Sequence, residues 1–160
     1  MAVQVRPAID GWFVAEDGVV ALLGAQCTTC TTVAFPATKV IVCPNPACDG
    51  VEFRRLEMGR RGRVWSYTTN HYAAPPPYVS PDPFVPYSVL AVELPDVDLT
   101  VLGQLADGAS IDDIRVGSEV ELTTKALYTD GDGVARLVWA WRPVADASVV
   151  PRAMTAEVSP

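Results

Sequence analysis

The sequence predicts a mainly β chain in which a small cysteine-bearing module precedes a β-barrel. Three observations carry this expectation. Fourteen prolines and eleven glycines interrupt the 160 residues often, a pattern that suits short strands and turns better than long helices. Five runs after Gly59 have strand character, and the fourth of them alternates cleanly between apolar and polar residues. The only four cysteines are gathered between positions 27 and 48.

Size and charge narrow the function classes. A chain of 160 residues suits one ordinary domain or one domain with a small appended module. Apolar residues make up 49%, enough for a real core. No stretch approaches the roughly 18 consecutive apolar residues of a membrane span. The segment 1–12 lacks a charged stretch followed by an apolar one, so no signal peptide is visible and a cytoplasmic location is expected. The net charge is −7, with Lys39, Lys125 and ten arginines facing nineteen carboxylates. Non-specific attraction to nucleic acid is therefore expected to be weak. Arg54, Arg55, Arg60, Arg61 and Arg63 nevertheless cluster within ten residues.

The elements follow in chain order. Trp12-Phe13-Val14 reads as a short apolar element and 19–23 as a strand leading into the cysteine module. The cysteines read Cys27-Thr-Thr-Cys30, then twelve residues, then Cys43-Pro-Asn-Pro-Ala-Cys48. Two turns giving two thiolates each can converge on one tetrahedral ion, as in a zinc ribbon. Pro36, Pro44 and Pro46 favour turns, and Val33, Phe35, Val40 and Val42 are expected to line the hairpin. So small a module needs a metal or disulfides to hold it. The alternatives are two disulfides, disfavoured without a secretion signal, or reduced free thiols. One structural zinc on Cys27, Cys30, Cys43 and Cys48 is the expectation, because a catalytic zinc keeps an open position.

After Gly59 come the five strand runs, 63–72, 87–94, 99–105, 119–127 and 134–141. In the fourth, Val120, Leu122, Thr124 and Ala126 face one way. In the fifth, Ala135, Leu137, Trp139 and Trp141 share a face. Pro95-Asp96 and Asp130-Gly-Asp-Gly133 read as hairpin connections. Ser110-Ile-Asp-Asp-Ile114 reads as a capped helical turn. Five strands with a short helical element between the third and fourth match an OB-fold barrel. The expected organisation is an N-terminal segment and zinc ribbon over 1–58, the OB-fold over 59–146, and a mobile tail or arm over 147–160.

Six prolines crowd 73–86. That stretch is too long and proline-rich for a hairpin turn and reads as a flap of polyproline character. Its aromatics Tyr72, Tyr78, Phe84 and Tyr87 are candidates for a binding surface or for packing on the barrel itself. Trp65, Trp139 and Trp141 are expected to add apolar surface that a partner covers. His71, the only histidine, is a general base by residue type, but a lone histidine near a strand end is more often solvated or structural. No catalytic residue is assigned, and no phosphate-cradling glycine motif is found.

The order of these features resembles a known family, the acyl-CoA-associated proteins with a rubredoxin-like zinc ribbon followed by an OB-fold. The residues that carry the resemblance are Cys27-Thr-Thr-Cys30, Phe35-Pro36, Cys43, Cys48 and Gly62-Arg-Val-Trp-Ser-Tyr-Thr68. Pro86-Tyr-Ser-Val-Leu-Ala-Val-Glu-Leu94, Leu102-Gly-Gln-Leu105 and Ile114-Arg-Val-Gly117 continue it. Two departures stand out: Thr31 occupies a position that is usually glycine, and the second knuckle is Cys-x4-Cys rather than Cys-x-x-Cys.

The resemblance implies a non-catalytic accessory subunit in a hetero-oligomer, bound to a thiolase-fold or lipid-transfer-protein-like thiolase or aldolase, or to a hot-dog-fold hydratase. It implies acyl-CoA as the shared ligand and lipid or steroid side-chain degradation as the setting. On that reading Arg60 and Arg61 are candidate contacts for the coenzyme A phosphates, since guanidinium groups bind such oxygens bidentately. The alternative is a nucleic-acid-binding module, a role that ribbons and OB-folds both serve.

Overall fold

The computed structural model describes residues 4–16, 18–75 and 79–144. The tail 147–160 and Tyr78 of the proline-rich stretch lie outside them. The chain is mainly β, with ten strands and two short 3-10 turns among the described residues. Five strands form a closed barrel: β6 (Arg61–Asn70), β7 (Tyr87–Leu94), β8 (Leu99–Leu105), β9 (Glu119–Thr129) and β10 (Ala135–Pro143). Pairing runs β6–β7–β8–β10–β9 and back to β6, with β8 and β10 parallel and the other pairs antiparallel. A 3-10 turn, Ile111–Asp113, lies between β8 and β9, and Ser110 Oγ caps it by accepting from the Asp112 N–H at 3.2 Å. This is the expected OB-fold order.

Strand-forming residues fill the barrel by simple alternation. Val64, Leu90, Val92, Leu94, Val101, Val120, Leu122 and Trp141 are buried. The alternation in β9 holds for Val120 and Leu122, but Ala126 is exposed, because the strand has by then run past the barrel core. Trp139 and Trp141 are interior residues, 8% and 0% exposed, which corrects the expectation that they need covering. Trp65 is 61% exposed. It is the extra residue of a β-bulge, skipped where Val64 pairs Val92 and Ser66 pairs Ala91, and a bulge re-aims its side chain. The turn after β9 is held by Asp130, whose carboxylate accepts from the Asp132 and Val134 N–H groups and pairs with Arg136 at 2.8 Å. The Val134 N–H bond and Arg136 hold the Asp130 carboxyl below its ordinary range.

Ahead of the barrel lies a second sheet. Strand β2 (Phe13–Glu16) pairs with β3 (Val19–Cys27), and β3 pairs in turn with β4 (Val33–Ala34) and β5 (Phe53–Glu57). Aromatic residues in and beside it pack against the barrel's last strand. Trp12 stacks on Trp139 at 5.9 Å between centroids, and Phe13 and Phe35 meet the same ring edge-on at 5.7 and 5.9 Å. Such pairs add about 0.5–1.5 kcal/mol each beyond their area burial. One cluster of buried residues therefore runs from Phe13, Leu22 and Met58 into the barrel. Val42, expected to line the hairpin, is instead 59% exposed.

The barrel closes unevenly. β10 meets β8 only at Ala140–Gln104 and Trp141–Leu105. Its earlier residues pair with β1 (Val5–Pro7), in parallel. Where β8 and β10 part, Trp139 Nε1 donates to the Leu102 carbonyl at 2.8 Å and bridges the gap.

Gly103 makes room for both interior tryptophans. A Cβ there would lie 2.6 Å from Trp141 Nε1 and 3.0 Å from Trp139 Cδ1. Gly103→Ala is expected to lose about 1–3 kcal/mol of stability by urea denaturation. Gly131→Ala, where a Cβ meets nothing within 4 Å, should leave the midpoint unchanged.

Candidate metal centre

The two cysteine pairs sit on different kinds of backbone. Cys27 ends β3, and Cys30 follows in a tight turn that Thr31 N–H closes on the Cys27 carbonyl at 3.0 Å. Cys27 N–H returns to the Thr32 carbonyl at 2.9 Å. This turn demands left-handed backbone at Thr31, which has φ 63°. Glycine adopts that conformation freely, whereas a β-branched residue is strained by roughly 1–2 kcal/mol.

The second pair spans four residues, Pro-Asn-Pro-Ala, and still folds back. The Asn45 carbonyl accepts from Cys48 N–H, and the Asn45 side-chain oxygen from Ala47 N–H, both at 2.9 Å. This side-chain turn absorbs the extra length. Cys43 N–H is anchored on the Gly50 carbonyl at 2.9 Å, and Gly50 N–H points at Cys48 Sγ at 3.4 Å.

All four Sγ atoms lie within 4.8 Å of one another. Cys27 and Cys48 are 3.9 Å apart, and Cys30 and Cys43 are 3.4 Å apart. Tetrahedral thiolate ligation at about 2.3 Å requires sulfur separations of about 3.8 Å, so the set fits one ion. None of the four cysteines is in a disulfide, and two are buried and two half-buried. Gly50 completes the cradle: a Cβ there would come within 2.7 Å of Cys27 Sγ. The sequence signal for Gly50 is its place two residues after a knuckle cysteine, and the sequence reading passed over it. The Thr32 hydroxyl, 3.2 Å from Cys30 Sγ, pulls that thiol down to about 6. Burial pushes Cys43 up to about 12.

The arginines do not act as one group. Arg54 and Arg55 lie on β5, Arg60 lies in the link to the barrel, and Arg61 and Arg63 lie on β6. Arg61 faces Glu121 at 3.8 Å and Arg63 faces Glu119 at 3.7 Å. Arg54 donates to Gln26 Oε1. Arg60 has no carboxylate partner among the described residues. With Arg54 it lines a cleft of about 500 Å³ at the junction of the small sheet and the barrel, floored by Leu56 and Met58. His71 is exposed beyond the end of β6.

A closed five-stranded barrel capped by a small sheet with a four-cysteine cluster defines a ribbon-and-OB-fold protein. Comparison with known proteins makes the assignment narrower. The family model of the ChsH2 C-terminal OB-fold domain matches residues 56–125. The benzoylsuccinyl-CoA thiolase subunit BbsA of Thauera aromatica is 30% identical over 123 residues, covering 77% of this chain and 76% of that subunit. The solved Ltp2-ChsH2 (DUF35) aldolase superposes with a TM-score of 0.60 at 27% identity, over 86% of this chain and 98% of that one. The chain belongs to the acyl-CoA-associated OB-fold accessory family represented by BbsA and ChsH2. No helix among the described residues is long and apolar enough to cross a membrane.

Thr31→Gly is expected to raise the melting temperature, by an amount equivalent to about 1 kcal/mol, since it removes left-handed strain at one residue. Part of the gain is offset by the freer unfolded chain. Calorimetry of the two proteins side by side measures it.

Proposed function

We propose that this chain is a non-catalytic subunit that binds a thiolase-type enzyme and helps to form its acyl-CoA site. The observation that carries this reading is the likeness to BbsA, which covers 77% of this chain and 76% of that subunit rather than a single motif. The likeness to the Ltp2-ChsH2 aldolase supports a thiolase or a lipid-transfer-protein-like aldolase as partner. A hot-dog-fold hydratase is the other partner to try. Exposed apolar residues support an interface: Ile41 and Val51 on the ribbon are 82% and 68% exposed, and Trp65 stands out from the barrel. Sterol and lipid side-chain thioesters are the substrates to test first. Affinity capture from native extract, with this chain as bait, is expected to recover a thiolase-fold subunit in comparable amount. Recovery of nucleic acid instead would overturn the reading.

The metal in this proposal is zinc, held by Cys27, Cys30, Cys43 and Cys48. Four thiolates suit that ion and leave no open position, so its role is to tie the two knuckles together. Protein purified without added zinc is expected to carry one equivalent by elemental analysis. Cys43→Ser is expected to lose the metal and unfold the ribbon, because the free energy of metal binding is here folding free energy. A folded parent with four titratable thiols and less than about a tenth of an equivalent of zinc contradicts the assignment.

For the coenzyme, Arg60 is the candidate contact ahead of Arg61. Arg60 lines the junction cleft with Glu57 and Asp96 but makes no ion pair among the described residues, whereas Arg61 faces Glu121. In the assembled complex Arg60→Ala is expected to raise KM for acyl-CoA about tenfold, the loss of one charged hydrogen-bonding pair. The variant should still co-purify with its partner. Arg61→Ala should change KM less. Failure of Arg60→Ala to assemble would place Arg60 in the subunit interface instead.

A further inference from the structure

The four cysteines of the metal centre are not equivalent. Cys27 and Cys43 are 1% and 5% exposed, whereas Cys30 and Cys48 are half-buried. Cys30 lies in the turn of the first knuckle between two exposed threonines, Thr29 and Thr31. Cys48 also has exposed neighbours, Ala47 and Asp49, but Gly50 packs against it. A Cβ on Gly50 would lie 3.3 Å from Cys48 Sγ and 2.7 Å from Cys27 Sγ, and Gly50 N–H already points at Cys48 Sγ at 3.4 Å. Gly50 therefore covers the Cys27–Cys48 side of the cluster. On the other side Cys30 Sγ meets the Thr32 hydroxyl at 3.2 Å.

The placing of the sulfurs matters as much as exposure. Both short approaches run between the knuckles, Cys30 to Cys43 at 3.4 Å and Cys27 to Cys48 at 3.9 Å. The accessible Cys30 thus has a buried cysteine of the other knuckle as its near neighbour. Oxidation of cysteine follows thiolate character and exposure, and an adjacent second thiol resolves the first product as a disulfide. Metal ligation requires the sulfurs as thiolates, so the nucleophile is present in the loaded ribbon.

We propose that Cys30 is a site of oxidation by peroxide, resolved by Cys43 as a disulfide that joins the two knuckles. The proposal rests on the zinc reading of the four cysteines. In the first step the Cys30 thiolate attacks one oxygen of hydrogen peroxide. An S–O bond forms, the O–O bond breaks and hydroxide leaves, giving a sulfenic acid. In the second step the Cys43 thiolate attacks that sulfur. An S–S bond forms, the S–O bond breaks and a second hydroxide leaves. Two thiolates have given up two electrons, and the peroxide has been reduced to two hydroxide ions. Cys27 and Cys48 are then the only thiolates left where a closed tetrahedral site needs four, and the metal is released. Ile41 and Val51 flank the second knuckle and are 82% and 68% exposed, so a change in how the knuckles are tied reaches the apolar surface of the ribbon.

The test uses the purified full chain, with its zinc measured first by elemental analysis. Excess hydrogen peroxide is expected to release that zinc, followed with a metallochromic indicator. Peptide mapping is expected to show Cys30 joined to Cys43, and dithiothreitol with added zinc should restore the metal content. Dimedone, which traps sulfenic acids, should label Cys30 and not Cys48. Thr32→Val keeps all four ligands and removes the hydroxyl that donates to the Cys30 thiolate. A less damped thiolate is the stronger nucleophile, so release from this variant should be about threefold faster. Less than about a tenth of an equivalent of zinc at the start refutes the zinc reading and the proposal with it. A full equivalent retained under peroxide overturns the proposal and leaves the zinc reading standing. So does a disulfide mapped within one knuckle, sulfenic acid trapped at Cys48, or a release rate that Thr32→Val leaves unchanged.

Discussion

The contact on which the structure depends is the packing of Trp12, Phe13 and Phe35 around Trp139. Three rings from the N-terminal sheet meet one ring of the barrel's last strand. The same indole spans the gap between β8 and β10 through its N–H. One residue therefore joins the two sheets and keeps the barrel shut where its strands diverge. Gly103 is the complementary constraint, since only a residue without a side chain lets both tryptophans lie against β8. Trp141 sits so tightly there that its buried indole N–H has no acceptor among the described residues. An unmet donor of that kind costs about 1–3 kcal/mol, which the dispersion contacts of the fully enclosed ring offset.

The cysteine cluster depends on that frame without belonging to it. β3 runs from the aromatic cap to Cys27, so the strand that packs on the barrel also delivers the first thiolate. The second knuckle has no strand beneath it and relies on Asn45 and Gly50 for shape. This division explains why strain is tolerated at Thr31. The flanking hydrogen bonds from β3 determine the turn whatever residue occupies it.

Much of this was legible in the residues. The barrel strands were readable because period-two alternation, β-branched residues and turn signals agree there: 87–94 and 99–105 match β7 and β8 end to end. The convergence of the four thiols followed from their paired spacing. Other features left no local trace. β1 is three residues long and β4 two, too short for any periodicity. β5 carries two arginines in its middle, so charge masked a strand whose pairing with β3 is tertiary in origin. The burial of Trp139 and Trp141 was missed because alternation tells which residues share a face, not how completely the other sheet covers that face. The gap between β8 and β10 was invisible for a related reason: two strands fail to pair there, and a missing pairing has no sequence pattern.

The pairing of β1 with β10 orders the molecule in time as well as in space. Val5, Arg6 and Pro7 lie against Ala135, Arg136 and Leu137, so nearly the whole described chain separates the two partners. A ribosome delivers the first strand long before the last exists. The barrel edge that β1 protects is among the last features that can form, and such distant pairings are slow to find. Until then Val5 and its neighbours have no strand to join, and the open edge of the nascent barrel is exposed to other chains.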